Sequence, residues 1–275
     1  MTSTRAAMLI NGQPGQLIAV ADRGVQYGDG LFETIRCEQG APRWLERHLT
    51  RLRHGCERLQ IPRPDEAVLV REVCEVASGE ARVLVKILYT RGVGAARGYA
   101  PRDCGQPTRS VSVHPWPVRP AHWAHGFRVG FATLQLGENP ALAGIKHLNR
   151  LEQVLAAREA DALQVDEVLL GTHAGDLISG AMSNLFVVEG EGLVTPPLER
   201  CGVAGIMRSL VIDTAAQVGL PVLIEPVNAA RLAAAGSLFL TNVRLGLQCV
   251  HWLAGRALLP DPRITRLQEL LDVCS

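Results

Sequence analysis

The sequence predicts an α+β protein in two domains, and three observations carry this. Strand-like runs come in pairs with helical segments interleaved at uneven intervals, without a regular βαβ period. Near the middle, the polar stretch HPWPVRPAHWAHG packs three prolines and two tryptophans together and reads as a linker over residues 115–125. The length of 275 residues suffices for two modest domains with separate cores. The expected division is a smaller α/β domain over residues 1–118 and a larger one over 119–275; one continuous mixed domain is the alternative.

Residues 7–10, 16–20 and 31–36 read as short strands, the third after the Gly/Asp-rich turn YGDG. GDGLFET lacks the GK[ST] of a phosphate loop and reads as a tight turn before that strand. Over residues 43–59, Leu45, Leu49 (or His48), Leu52, Cys56 and Leu59 recur at spacings of three and four, which predicts an amphipathic helix. A second helix follows Pro64, with Asp65 and Glu66 where the positive end of a helix favours carboxylates. ARVLVKILYT (81–90) and RSVSVHPW (109–116) read as strands joined by the Gly-rich loop RGVGAARGYAP. Beyond the linker, strands are expected at 127–134, 166–170, 184–189, 221–226, 237–242 and 247–252. Helices are expected at 148–162, 206–218, 228–235 and 264–273, and LGTHAGDLI reads as a hairpin turn.

Composition excludes several classes. Apolar residues make up 47% and charged residues 20%, with a net charge of +1, as in an ordinary globular protein. No basic arm or stripe points to nucleic acid, and no run approaches the ~18 apolar residues of a membrane span. The seven cysteines are scattered, without CxxC or Cys/His metal spacing. Reduced thiols in a cytoplasmic protein, with no metal site, are the expectation.

The chemistry concentrates on one lysine. Of 28 basic residues only Lys86 and Lys146 are lysine. Lys146, in AGIKHLNRLEQ, follows a small apolar run and precedes a helix-like segment with Leu148, Leu151, Leu155 and Ala162 on one face. An isolated lysine is ordinarily a solvated surface charge. A guanidinium stays protonated and attacks carbonyls poorly, whereas a partly desolvated ammonium can lose its proton and do so. A Schiff-base lysine is therefore favoured, with pyridoxal 5'-phosphate as its commonest partner. That cofactor needs a dianion receptor. Gly202 and Gly205 open a helix at Ile206, Thr241 and Asn242 end a strand, and Arg51 lies on the first long helix. Taken singly, Gly205 is a helix-start glycine and Arg51 a surface residue.

In order, DRGVQYGDGLFETIR, RHLTRL, GIKHLNRLEQ, SGAMSNLFVV, GVAGIMR and LTNVRLG resemble the fold-type IV pyridoxal-phosphate enzymes, the branched-chain and D-amino-acid aminotransferase family. The resemblance runs from about Asn11 to His251. It implies a smaller α/β domain followed by a larger pseudo-barrel domain, assembled as a homodimer. Lys146 would carry the Schiff base and act as acid/base. Arg51, Gly205, Ile206, Thr241 and Asn242 would hold the phosphate, with Ser179 and Asn184 also facing the cofactor. Tyr27, Phe32, Arg97 and Tyr99 would face a small-molecule substrate. Arg97 is the first cation for a substrate carboxylate and Arg91 the second; the loop holding Arg97 is one residue longer than the family spacing. Ser179 stands where the family has a Glu that pairs with the protonated pyridine nitrogen. A hydroxyl offers a neutral hydrogen bond and a shallower electron sink, which favours an elimination over transamination; Asp176 is an alternative partner. NPALAGIKHLNR and RGYAP after TRG resemble a lyase branch of the family. An aminotransferase, and a cofactor-binding protein without catalysis, are the competing readings. His147 as a proton relay is disfavoured, because the neighbour of Lys146 points to the opposite side; Asn149 as a cap or a cofactor contact stays open, while His48 and His54 read as surface or packing groups.

Overall fold

The computed structural model describes residues 7–94 and 98–273. The chain forms two compact units, Met1–Pro117 with Ile145–Asn149, and Val118–Gly144 with Arg150–Ser275. The first break falls inside the Pro/Trp-rich stretch. The return of five residues around Lys146 to the first unit is a tertiary feature that no linear boundary expresses.

The first unit comprises β1 (Met8–Ile10), β2 (Gln13–Pro14), α1 (Arg23–Tyr27), β3 (Gly30–Glu38), β4 (Ala41–Pro42), α2 (Leu45–Leu59), α3 (Glu66–Ala77), β5 (Arg82–Thr90) and β6 (Thr108–Pro115). Its antiparallel sheet has the order β2-β1-β6-β5-β3-β4. Residues 16–20 are not the expected strand. Leu17 and Val20 are exposed, and an apolar run without a partner face to bury it has nothing to hold it in a sheet. The following turn tightens into α1: the Asp22 carboxylate accepts from the Gly24 amide at 2.7 Å and from the Thr90 hydroxyl at 3.0 Å. Gly28, at φ 66°, ends α1 in the left-handed region that glycine adopts without strain.

β3 alternates cleanly. Leu31, Glu33, Ile35 and Cys37 are buried, whereas Phe32, Thr34 and Arg36 are half-buried. α2 packs on the buried side, where a Cβ at Gly55 would come within 2.7 Å of Leu31.

The second unit adds β7 (Phe127–Leu136), α4 (Leu151–Leu163), β8 (Glu167–Thr172), β9 (Leu177–Gly180), β10 (Asn184–Glu189), β11 (Gly192–Thr195), α5 (Ile206–Gln217), β12 (Val222–Ile224), α6 (Ala229–Ala234), β13 (Ser237–Asn242), β14 (Gly246–Leu253), β15 (Arg256–Ala257) and α7 (Pro262–Val273). Strands β10, β13, β14, β7, β8 and β9 pair in turn, and β9 pairs back onto β10. The ring closes and leaves no free edge among those six strands. The sequence expected β8 and the hairpin turn after it, but not β9.

Leu185 and Val187 of β10, with Leu238 and Leu240 of β13, enter one apolar cluster with Phe127 and Val129. The alternate positions, Asn184, Phe186, Phe239 and Thr241, point to the other face, where Phe186 stacks on Phe239 at 4.9 Å.

The helix expected from residue 148 begins at Leu151. The Leu148 amide is taken by Gly30 O at 3.0 Å and His147 bridges Leu31, so this segment pairs as a strand and cannot coil. The apolar face read from its leucines is not the packed one either. Leu151 and Leu155 are 77% and 44% exposed, while Ala156 and Ala160 are buried.

Candidate active site

In the first unit the site is built on β3. Pleating puts Glu33 on the buried side between Leu31 and Ile35, where a lone carboxylate would be costly. Its partners lie on α2 three residues apart, hence on one helix face. Nδ1 of His48 lies 2.6 Å from Glu33 Oε2, and Arg51 Nε donates to Oε1 at 2.8 Å, with Nη2 on Oε2. Burial pushes the Glu33 carboxyl up, but the Arg51 guanidinium and the His48 contact outweigh it and hold it down to about 2. Burial lowers the His48 pKa, against the pull of Glu33. His48, set aside as a surface or packing group, is thus one of three charged or polar groups in a buried cluster. The sequence carried a signal, a Glu on the apolar side of an alternating strand.

Lys146 is fixed along the start of the same strand. Its carbonyl accepts from the Phe32 amide at 3.0 Å, and Asn149 Nδ2 donates to Gly28 O at 3.2 Å. A Cβ at Gly28 would lie 2.5 Å from the Asn149 side chain, so that turn requires glycine. The Lys146 ammonium sits 4.2 Å from the centre of the Phe32 ring. Phe32 and Lys146, predicted separately, are therefore in contact.

Tyr27 meets Tyr99 edge-on at 5.6 Å. Arg23 anchors that loop, donating to Gly98 O at 3.1 Å, Tyr99 O at 2.7 Å and Asp29 at 2.9 Å. Arg23 is buried, and sequence reasoning passed over it inside the DRG string. Arg97 lies outside the described residues. Arg91, the second cation expected for substrate, is already committed to Asp29, Leu59 O and Gln60 O at 2.6–3.1 Å. A guanidinium spent on a carboxylate and two carbonyls is structural, so that reading is corrected.

In the second unit, strand register assembles residues that are scattered along the chain. Ser179 pairs with Asn184, and Asn184 with Thr241. Residues directly opposite share a face, so Ser179, Asn184 and Thr241 form one buried polar row across β9, β10 and β13. The same register leaves Asp176 off this row, near the hairpin turn. Asn184 Nδ2 donates to Val203 O at 2.9 Å. Its Oδ1 lies where a Cβ at Gly205 would stand, at 2.0 Å, so only glycine fits there. Gly205 caps α5 without a side-chain hydrogen bond, and Ile206 opens the helix.

Among the described residues the buried Thr241 hydroxyl has no hydrogen-bond partner. An orphaned hydroxyl beside an uncapped helix N-terminus suits an anion bearing several acceptor oxygens. These residues fit a phosphate ester. The Asn242 side chain holds the next turn, accepting from the amides of Arg244 and Leu245 at 3.0 and 2.9 Å.

Glu167, unread in the sequence, organises the loop after β9. Its carboxylate accepts from the Ala181 and Met182 amides at 3.0 and 3.3 Å and from the Ser183 hydroxyl at 3.0 Å. Burial pushes its pKa up, and those hydrogen bonds offset this only in part. Among the described residues no cluster of His, Cys, Asp and Glu could hold a metal ion.

A two-unit α+β chain with a closed strand ring, a fixed lysine and a phosphate-type cradle has the architecture of a fold-type IV enzyme. The amino-transferase class IV family model matches residues 30–251, and the chain belongs to that pyridoxal-phosphate-dependent family. A 4-amino-4-deoxychorismate lyase from Pseudomonas aeruginosa superposes with a TM-score of 0.91 at 41% identity, over 97% of this chain and 98% of that one. An aminodeoxychorismate lyase of Vibrio harveyi is 33% identical over 239 residues, 86% of this chain and 88% of the relative. A bifunctional aminodeoxychorismate lyase and D-amino acid transaminase of Mycobacterium tuberculosis is 27% identical, over 94% of each chain.

Proposed function

We propose that this protein is a pyridoxal-phosphate-dependent lyase converting 4-amino-4-deoxychorismate to 4-aminobenzoate and pyruvate, the step that supplies 4-aminobenzoate to folate synthesis. The observation that carries this reading is the chain-length similarity to lyases of that name, joined to an intact lysine on a rigid segment. Lys146 would bond the cofactor's aldehyde carbon. Thr241, the amides of Gly205 and Ile206, the turn at Asn242 and the Arg51 guanidinium would hold its phosphate. Asn184 would keep the Gly205 turn in place, and the Ser179 hydroxyl would meet the ring nitrogen. Bound there, the cofactor supplies an electron sink for the carbon that carries the substrate's amine.

The residues of the chain do the rest. Tyr27, Phe32, Arg97 and Tyr99 would orient the substrate. The Lys146 amine takes the proton from C4, the C3–O bond to the enolpyruvyl group breaks, and the ring becomes aromatic. The Lys146 ammonium then returns that proton to the departing group, which leaves as pyruvate. A neutral partner at Ser179 gives a shallow sink, adequate for an elimination driven by aromatisation. Exposed apolar side chains on α4 support a homodimer, and free thiols at Cys37, Cys56 and Cys201 suit a cytoplasmic location.

The test is the visible spectrum of the holoprotein, followed by pyruvate release from aminodeoxychorismate. Lys146→Ala is expected to remove both the cofactor band and the pyruvate; retention of either excludes Lys146 from this role. Exchange between an amino donor and a ketoacid, without pyruvate release, would instead identify an aminotransferase.

A further inference from the structure

The chain's only two lysines lie on the same aromatic ring. Lys146 Nζ is 4.2 Å and Lys86 Nζ 5.3 Å from the centre of Phe32. In a chain that writes its other 26 basic residues as arginine, this coincidence calls for a physical cause.

Strand register supplies the placement. Thr34 of β3 pairs with Lys86 of β5, and Lys86 with Ser112 of β6. Phe32 pairs with Leu88, two residues along from Lys86 on the same face of β5. Lys86 therefore stands on the sheet face opposite Glu33 and α2, the face that carries Phe32. It is half-buried. Among the described residues its ammonium makes no hydrogen bond or ion pair, only the ring contact. An ammonium has three donors, and when partly withdrawn from water it favours an anion. Arg91, the neighbouring cation on the same stretch of chain, is neutralised by Asp29 at 2.7 Å; among the described residues Lys86 has no such counter-ion.

We propose that Lys86 binds a carboxylate of the substrate, holding it over Phe32 beside the reactive lysine. This rests on the lyase reading, whose substrate carries two carboxylates. It replaces Arg91 as a carboxylate ligand. A compact ammonium presents a point charge beside the ring, where a longer guanidinium fork would reach further over it.

The experiment compares wild-type holoprotein with Lys86→Gln and Lys86→Arg. The binding probe is chorismate, which keeps both carboxylates but has a hydroxyl in place of the amine and so cannot displace Lys146. In Lys86→Gln the dissociation constant for chorismate, read by calorimetry, is expected to rise at least tenfold. KM for aminodeoxychorismate should rise in step, with kcat within about threefold and the visible band unchanged. Lys86→Arg should recover part of the affinity by keeping the charge. Unaltered chorismate affinity in Lys86→Gln overturns the proposal. So does a shifted pH titration of the visible band at constant KM, which would make Lys86 a neighbour that tunes Lys146. If the wild type binds chorismate through Lys86 but releases no pyruvate, the lyase reading fails while the carboxylate site stands.

Discussion

Thr241 shows how a single side chain separates folding from function. A buried hydroxyl without a partner destabilises the protein that carries it, and an isosteric apolar replacement relieves that cost. Thr241→Val should therefore raise the stability of the cofactor-free protein by about 1 kcal/mol. The same change should weaken pyridoxal phosphate about tenfold, equivalent to about 1.4 kcal/mol. A thermal melt of the apoprotein and a spectral titration with cofactor measure the two effects, and a loss of stability would assign the hydroxyl an ordinary packing role. Thr241 was legible as a strand-end residue in LTNVRLG. That its hydroxyl is orphaned was not, because burial of a hydroxyl depends on what the rest of the chain lays over it.

At the scale of elements, the pairing of α2 with β3 rests on the Glu33–His48–Arg51 cluster. Glu33 titrates near 2 in the folded protein against an ordinary 4.5. A carboxyl depressed by folding stabilises the native state above its unfolded pKa, and that contribution is lost as pH falls through the folded value. The stabilisation is thus complete above about pH 5 and declines from there toward pH 2. Glu33→Gln should cost about 3 kcal/mol at neutral pH by leaving Arg51 without its buried counter-charge. Its stability should also fall less steeply than that of the wild type between pH 5 and pH 3 in denaturant melts. The helix itself was plain from its apolar spacing. The cluster was not, because the i, i+3 relation of His48 and Arg51 reads equally well as an exposed basic face until β3 is laid against it.

For the whole molecule, the feature that needs explaining is apolar surface. Leu151, Val154 and Leu155 on α4 are 77%, 54% and 44% exposed, and contiguous apolar exposure marks an interaction face. With the proposed homodimer, sedimentation should give about twice the chain mass of 29.7 kDa. The double substitution Val154→Glu with Leu155→Glu should shift it toward the single-chain mass. A wild type that sediments as one chain would end the dimer proposal.

The sequence by itself determined the chemical vocabulary: two lysines set against an arginine background, glycines in the turns before β3 and before Ile206, and the alternation of β3. Those are local properties, set by backbone sterics and side-chain type within a few residues. Only the tertiary structure decided which groups meet. Ring closure brought Ser179, Asn184 and Thr241 into one row, the pairing of residues 145–149 with β3 replaced a helical turn, and the register of β5 put Lys86 over Phe32. Each depends on strand register between segments far apart in the chain, where a slip of one residue would turn every side chain to the opposite face.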